Sequence, residues 1–518
     1  MKLSSLLSEL GLHGAGAEAS LTVDVAREQL AELATRLDRE YHLPLSLMFA
    51  TDERATSQSY FVHAVFAVDE DGSLLTLRAG IPMNDLTVPS ITATVMAAHW
   101  YERLIWDQFG IVATGHPDWR RLMHHQNIPA GTFPMRKDFA WNTKLAQADE
   151  PYPMHAVEGQ GIYEIPVGPI HAGIIEPGHF RFNVRGERIL TLEGKLFFKH
   201  KGVEKLLEGK TPVEAMPFVE HVTGNMSVAH AIAFCEAVER ISGTHVPERA
   251  KVLRSFLNEV ERVAMHVFDV GNMGGMGTGF TFMAAQCFRL NELVRRLGVE
   301  LTGHRFFRGA IVPGGLSRDI SNETLKKAID EFGRIEAELK KVMGVAYGKD
   351  GLMERFETTG VLSKATALAM GGLGLPVRSS GVARDLRVER PYAAYGTFQP
   401  NVVVQTSGDV RARFDARVLE LAESFRLMRE MVEKIPSGSV SAPVAAKAGS
   451  AFGWSEGWLG EVLDWVRLDE DGKIERCVIR DPSFCNWSLF GEIGPGNIVP
   501  DFPLCNKSLN LSYSGTDM

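Results

Sequence analysis

Glu259, Arg262, His266 and Asp269 recur at i, i+3, i+7 and i+10, which lays two carboxylates, a guanidinium and an imidazole along one stripe of a helix. Exposed, such a stripe is a solvated face, and by spacing alone that is the better reading. Buried, it must be charge-compensated, because isolated buried charges are prohibitive, and it then becomes a relay through the core. Arg378-Ser379-Ser380-Gly381, followed by Asp385-x-Arg387 and Pro391-Tyr392, pairs opposite charges around glycine and proline; structural ion pairing accounts for it, and so does a loop held beneath a reactive site. His230 lies on a stretch, 217–241, whose Val228, Ala231, Ile232, Cys235 and Val238 share one helical face behind a Gly224-Asn225 break. A lone histidine there is more often a hydrogen-bonded core residue than a ligand.

The five cysteines are scattered, odd in number and never in Cys-x-x-Cys spacing, which gives neither a disulfide framework nor a thiolate cluster. Free thiols of this kind fit the cytoplasm. A net charge of −9 argues against nucleic acid, whose phosphates need an excess of Lys and Arg. The first residues, MKLSSLLSELGLHG, make a poor signal peptide, and no apolar run reaches the roughly 20 residues of a membrane span. Any membrane contact is therefore expected through partners only.

At 518 residues, 45% hydrophobic and 23% charged, the chain is long enough for two or three domains with ordinary cores. Residues 1–145 read as a small α/β domain: a helix over 23–41, strands over 45–51 and 60–68, a hairpin turn at Asp71-Gly72 into 74–77, and a helix over 90–108. The Pro/Gly/acid-rich run 146–161 reads as a linker. Residues 162–518 open with a hairpin, 180–184 returning over 189–198. Long helices follow over 249–269, 280–298, 324–342 and 411–435, which implies an antiparallel bundle core. A strand pair, 461–467 and 473–479, and an extended tail over the last forty residues close a fold of the α+β class.

Several stretches resemble known families. Trp100, Glu102-Arg103, Asp107, Phe109-Gly110, Gly115-His116-Pro117, Arg120-Arg121 and Arg136-Lys137-Asp138-Phe139 are similar, in order, to the signature of the complex I 30-kDa subunit family. The resemblance implies a docking face for neighbouring subunits; the residues alone give an Arg/His/Asp-rich surface. His200-Lys201-Gly202-Val203-Glu204-Lys205 and the stretch around His230 resemble the large subunits of group 4 [NiFe]-hydrogenases and the complex I 49-kDa subunit. In those hydrogenases the turn carries Cys-x-x-Cys with a histidine four residues on, and a second pair sits in Asp-Pro-Cys-x-x-Cys. Here the four cysteine positions fall on Thr223, Met226, Ser483 and Asn486, and His230 remains. Cys485 is one residue out of register, a free thiol rather than a ligand. Leu459 takes the place of the hydrogenase arginine. The complex I quinone positions fall on Ile175 and Gly224, while Gly168-Pro169-Ile170-His171 and Glu176-x-x-His179-Phe180 are kept.

The resemblance spans nearly the whole chain and implies a 30-kDa-like domain fused to a 49-kDa-like one, as in formate hydrogenlyase and hydrogenase-4 large subunits, without the nickel ligands. The function it implies is a peripheral-arm subunit of an ion-translocating, complex I-like oxidoreductase on the cytoplasmic face of the inner or plasma membrane, not an active hydrogenase. The alternative is a non-redox scaffold or coupling subunit. The expected partners are a small iron–sulfur subunit of the complex I 20-kDa type and antiporter-like membrane subunits, with clusters in the partners and no cofactor or metal in this chain. Glu176, His179 and His230 are the expected proton relay, supported by Glu204, Glu259, Arg262, His266, Arg378, Asp385 and Arg387. A polar, water-filled cavity is expected between 223–230 and 483–486.

Overall fold

The computed structural model describes residues 2–17, 20–68, 70–171 and 175–518. Its first sheet runs Ala15–Ala17, Ser20–Val25, Ser73–Pro82, Ser59–Val68, Leu45–Glu53. Neighbours are antiparallel except Ser20–Val25 against Ser73–Pro82. The helix expected over 23–41 is therefore three elements, the end of a strand, a 3-10 turn Arg27–Gln29 and the helix Leu30–Arg39. Val23 pairs with Leu77 in the parallel register, and the period-two run Leu21, Val23, Val25 wins over a helical reading of the same residues. The helix expected over 90–108 begins only at His99 and ends at Phe109. The buried Glu102 carboxylate explains the late start. It accepts from Ile91 N (2.7 Å) and the Ser90 and Thr92 hydroxyls, which holds those residues in a turn.

Residues 141–161 carry no helix or strand, and a three-stranded antiparallel sheet follows: Ile162–His171, Gly178–Arg185, Arg188–Lys195. The bundle is built from Ser227–Ser242, Glu248–Thr278, Thr281–Thr302, Asn322–Tyr347 and Val410–Glu433. Glu248–Thr278 overruns its expected end by nine residues through a glycine-rich stretch. There the helix meets Thr281–Thr302 so closely that a Cβ on Gly271 would lie 2.5 Å from Cys287 Cβ, and one on Gly275 2.4 Å from Ala284 Cβ. Two further features differ from expectation. The expected strand pair is a three-stranded sheet, with Gly449–Glu456 added at one edge. The tail is helical, not extended: Pro482–Ile493, Phe502–Leu509 and Tyr513–Asp517, with Asp481 and Ser512 capping the first and last.

The Asp/Arg/His stretch that begins in His99–Phe109 is partly interior. Asp107 is fully buried and its Oδ2 takes the amides of Leu122 (2.9 Å), Met123 (2.7 Å) and His124 (3.2 Å). Arg120 bonds Glu193, and Lys195 Nζ reaches Leu122 O at 2.5 Å. These charges fold the loop and fasten it to the second sheet, while Lys137 and Asp138 remain exposed.

Candidate functional site

Ser227–Ser242 starts at the base of the site, and its first amides, Val228 N (2.9 Å) and Ala229 N (3.3 Å), donate to the Glu261 carboxylate from the neighbouring long helix. This fixes His230, fully buried, so that its Nε2 lies 3.0 Å from Asp481 Oδ2. The other oxygen of Asp481 accepts Ser483 N at 2.7 Å and caps Pro482–Ile493. One carboxylate thus joins the two stretches that the resemblance sets around a metal. The core reading of His230 holds.

The four cysteine positions do not face a common void. Thr223 Oγ1 donates to Asn225 Oδ1 (2.9 Å) and accepts from Ser512 Oγ (2.8 Å). Ser483 Oγ accepts Ser512 N (3.0 Å). Asn486 turns to the backbone of Leu373, accepting its N–H at 2.8 Å and donating to its carbonyl at 3.1 Å. Met226 packs onto Gly457, where a Cβ would come within 2.4 Å of its sulfur. The expected water-filled space between 223–230 and 483–486 is therefore corrected: Ser512 fills it with a hydrogen-bonded backbone. Ser512 Oγ also takes Gly515 N (2.9 Å), and Gly515 lies so close to Asp481 that a Cβ would meet its Oδ2 at 2.4 Å.

Glu176 is half-buried, bonded to Lys199 Nζ and to Ser514 N, both at 2.9 Å. So Glu176 and the His230–Asp481 pair both reach the segment 512–517. His179 does not. It sits on Gly178–Arg185 paired with Lys195, its Nε2 without a partner among the described residues and its basicity lowered by burial. No hydrogen bond among the described residues links Glu176, His179 and His230 into one chain. Ile175 and Gly224 line an open pocket beside Thr223. Glu204 accepts Arg476 (2.8 Å) and Ile479 N (3.1 Å) in the seam between the first sheet and the rest. Cys485 is half-buried and bonded to Tyr101 (3.3 Å).

The stripe on the long helix is buried throughout, so the solvated reading is overturned. Val410–Glu433 and the loop 378–395 cover it with opposite charge. Glu259 takes Arg387 (3.0 Å), Tyr395 Oη (2.5 Å) and Ser424 Oγ (2.6 Å). Arg262 donates to the carbonyls of Glu456 (2.7 Å) and Gly457 (3.0 Å). His266 Nε2 lies 2.8 Å from Glu420. Glu420 pairs with Arg378 (2.9 Å), which pairs in turn with Glu456 (2.7 Å). Asp385 and Arg387 close at 2.6 Å, and Asp269 holds Arg417 at 2.9 Å and Asn510 at 2.6 Å. Burial lowers His266 to about 4 despite Glu420, so the imidazole is neutral and its Nε2–H donates. Burial pushes Asp269 up to about 6 against Arg417, and raises Glu456 against Arg378. Burial would also raise Glu420, but Arg378 and His266 hold it well below the carboxylate range. The environment thus sets these carboxyl affinities apart; Glu420 and Glu456 meet only through the Arg378 guanidinium, and no hydrogen bond among the described residues joins Asp269 to either. The sequence gives no spacing signal for Glu420, Arg417 or Ser512; Asp481 alone carries one, as a helix cap before Pro482.

The family model of the respiratory-chain NADH dehydrogenase 30 Kd subunit matches residues 23–144, that of the 49 Kd subunit residues 275–448, and that of nickel-dependent hydrogenase residues 201–270. Formate hydrogenlyase subunit 5 of Escherichia coli (strain K12) is 30% identical over 513 residues, 98% of this chain and 90% of that one. Hydrogenase-4 component G of the same organism is 30% identical over 509 residues, covering 96% and 88%. Among solved structures, a chain of the membrane-bound sulfane sulfur reductase (MBS), an archaeal respiratory membrane complex, superposes with a TM-score of 0.66 at 25% identity, covering 71% of this chain and 100% of that one. No helix among the described residues is long and apolar enough to cross a membrane. The chain belongs to the family of hydrogenase-related, complex I-like oxidoreductase subunits that includes formate hydrogenlyase subunit 5 and hydrogenase-4 component G.

Proposed function

We propose that this chain is a peripheral-arm subunit of a membrane-bound, complex I-like oxidoreductase coupled to ion translocation, working without a [NiFe] centre. Nickel bridged to iron calls for soft thiolate ligands. Thr223, Met226, Ser483 and Asn486 offer two hydroxyls, a thioether and an amide. Three of these already bond within the chain, to Ser512 and to Leu373. The donor set does not fit the metal, and no step runs through it. Elemental analysis of the purified chain is expected to give no stoichiometric nickel; about one nickel per chain with hydrogen-dependent dye reduction sinks this part.

The observation that carries the coupling is the buried charge line, His266–Glu420–Arg378–Glu456 with Asp269–Arg417 and Glu259–Arg387 beside it. Glu176 and His230–Asp481 reach the segment 512–517 at one end of it. A small iron–sulfur subunit would bring the electrons, its clusters being the cofactors, and antiporter-like subunits would carry the ion. The chain sits on the cytoplasmic face and meets the membrane only through them. In the assembled complex, Glu456→Gln, Asp269→Asn and Glu176→Gln are expected to abolish ion translocation while subunit composition stays unchanged. Normal transport by all three leaves the scaffold reading, which the closure of the ligand positions by Ser512 favours. Substrate-driven reduction of the partner's clusters, followed by paramagnetic resonance, separates the two readings: a scaffold shows none.

A further inference from the structure

The pocket beside Thr223 has a volume of about 590 Å³, within the range of small-molecule sites. Phe268 and Phe288, stacked with ring centres 5.2 Å apart, line it together with Leu511 and Ile175. Its charged residues are Arg308, Lys507 and Glu176, the last bonded to Lys199 and Ser514 N.

These two cations lack the partners that such groups normally have. Arg308 is half-buried, its Nε is inaccessible and makes no hydrogen bond, and no carboxylate among the described residues lies within 4 Å of its guanidinium. Its guanidinium lies over the Phe306 ring, 5.6 Å from Cζ to the ring centre. Lys507 is buried, and its ammonium makes no hydrogen bond among the described residues. Asn272, also buried and facing the pocket, makes none with its side chain. The acids close by are already engaged: Glu176 by Lys199 and Ser514 N, Asp269 by Arg417 and Asn510. Glu220 accepts Gly309 N at 2.8 Å, and burial pushes it up to about 7 against that bond and the charge of Arg308, with which it makes no ion pair. The inaccessible Arg308 Nε is the costly group here; Lys507 and Asn272 face the pocket, with burial lowering the basicity of Lys507 against the pull of Asp269.

We infer that this pocket binds an amphipathic organic anion, its acidic group held by Arg308, Lys507 and Asn272 and its planar or apolar body laid against Phe268 and Phe288. The inference rests on the reading that the chain works without a nickel centre; the pocket touches only one of the four cysteine positions, Thr223, so the ligand lies beside that closed site and not in it. A carboxylate or a sulfonate satisfies the same donors, so the headgroup chemistry stands without a choice between them. Arg308 meets such a group through its terminal guanidinium nitrogens and Lys507 as a point charge.

The probe is 8-anilinonaphthalene-1-sulfonate, an aryl sulfonate, titrated by fluorescence into the purified full chain, with neutral N-phenyl-1-naphthylamine as its uncharged counterpart. Arg308→Gln and Lys507→Met are each expected to weaken the sulfonate by about tenfold, the loss of one charge-assisted bond, and to leave the neutral amine within about twofold. Arg308→Lys, which keeps the charge, is expected to retain most of the affinity and guards against a misfolded variant. Unchanged sulfonate binding in both charge-removing variants overturns the proposal. So does equal weakening of both probes, which marks an apolar patch. Nickel in the purified chain would instead overturn the reading on which the proposal rests, and the elemental analysis shows that separately from either titration.

Discussion

His230 Nε2 and Asp481 Oδ2 stand 3.0 Å apart across 251 residues of chain, both side chains fully buried. Asp481 does two jobs, since its second oxygen caps Pro482–Ile493 through Ser483 N. Asp481→Ala should therefore cost about 2–4 kcal/mol, a lost cap plus an orphaned imidazole. Asp481→Asn keeps the cap geometry and should cost about half as much. Urea unfolding measures both, and a loss under about 0.5 kcal/mol for Asp481→Ala refutes the double role.

Ser512 links Thr223, Ser483 and Gly515 through three hydrogen bonds of 2.8, 3.0 and 2.9 Å. Ser512→Val removes two of them and leaves Thr223 Oγ1 with one partner; a loss of about 1–3 kcal/mol follows. Hydrogen exchange gives the same test without a mutation. The amides of Ser512 and Gly515 should be protected, and exchange as fast as that of residues 146–161 would show that the segment is not seated.

The long helices and the strands of the first sheet were legible because their apolar periods run unbroken over many residues. Val23 misled because it serves a strand register and a helical spacing at once. The stripe Glu259, Arg262, His266, Asp269 was legible as a stripe but not as buried, since spacing along one helix says nothing of what packs on it. The compensating groups come from far away: Glu420 is 154 residues from His266, and Arg387 128 from Glu259. Ser512 left no trace for the same reason. Its partners are 289 and 29 residues distant, and a serine in a polar tail carries no pattern.

The cysteines give a simple count. Cys235, Cys287, Cys477 and Cys505 are buried, and burial pushes their thiols up, Cys287 and Cys505 to about 12. Thiolate is the reactive form, so these four are inert in the fold. Cys485 is half-buried and raised less, held by Tyr101. An aromatic disulfide reagent at pH 8 should find at most about one slow thiol per native chain, lost in Cys485→Ser, and all five after denaturation. Rapid reaction of two or more native thiols contradicts the packing.

Glu261 receives the amides of Val228 and Ala229 at the start of the helix that bears His230. Burial pushes it up to about 7, against those two hydrogen bonds and the charges of Arg295 and Arg262. Its unfolded value is about 4.3, so between about pH 4 and 7 the folded chain binds more protons here than the unfolded one. A carboxyl raised in the fold contributes stability that is present below the unfolded value and lost as pH rises through the folded one. Glutamine cannot ionise and keeps an oxygen for Val228 N, while its NH2 replaces the oxygen that Ala229 N reaches at 3.3 Å. Glu261→Gln should thus match the parent near pH 4.5 and exceed it by a few kcal/mol above pH 7, the gap opening at up to about 1.4 kcal/mol per pH unit. Urea unfolding of both chains at half-unit steps from pH 4.5 to 8 draws the difference curve. A flat curve, or one that falls with pH, would mean that Glu261 is ionised throughout and anchors the helix as a carboxylate.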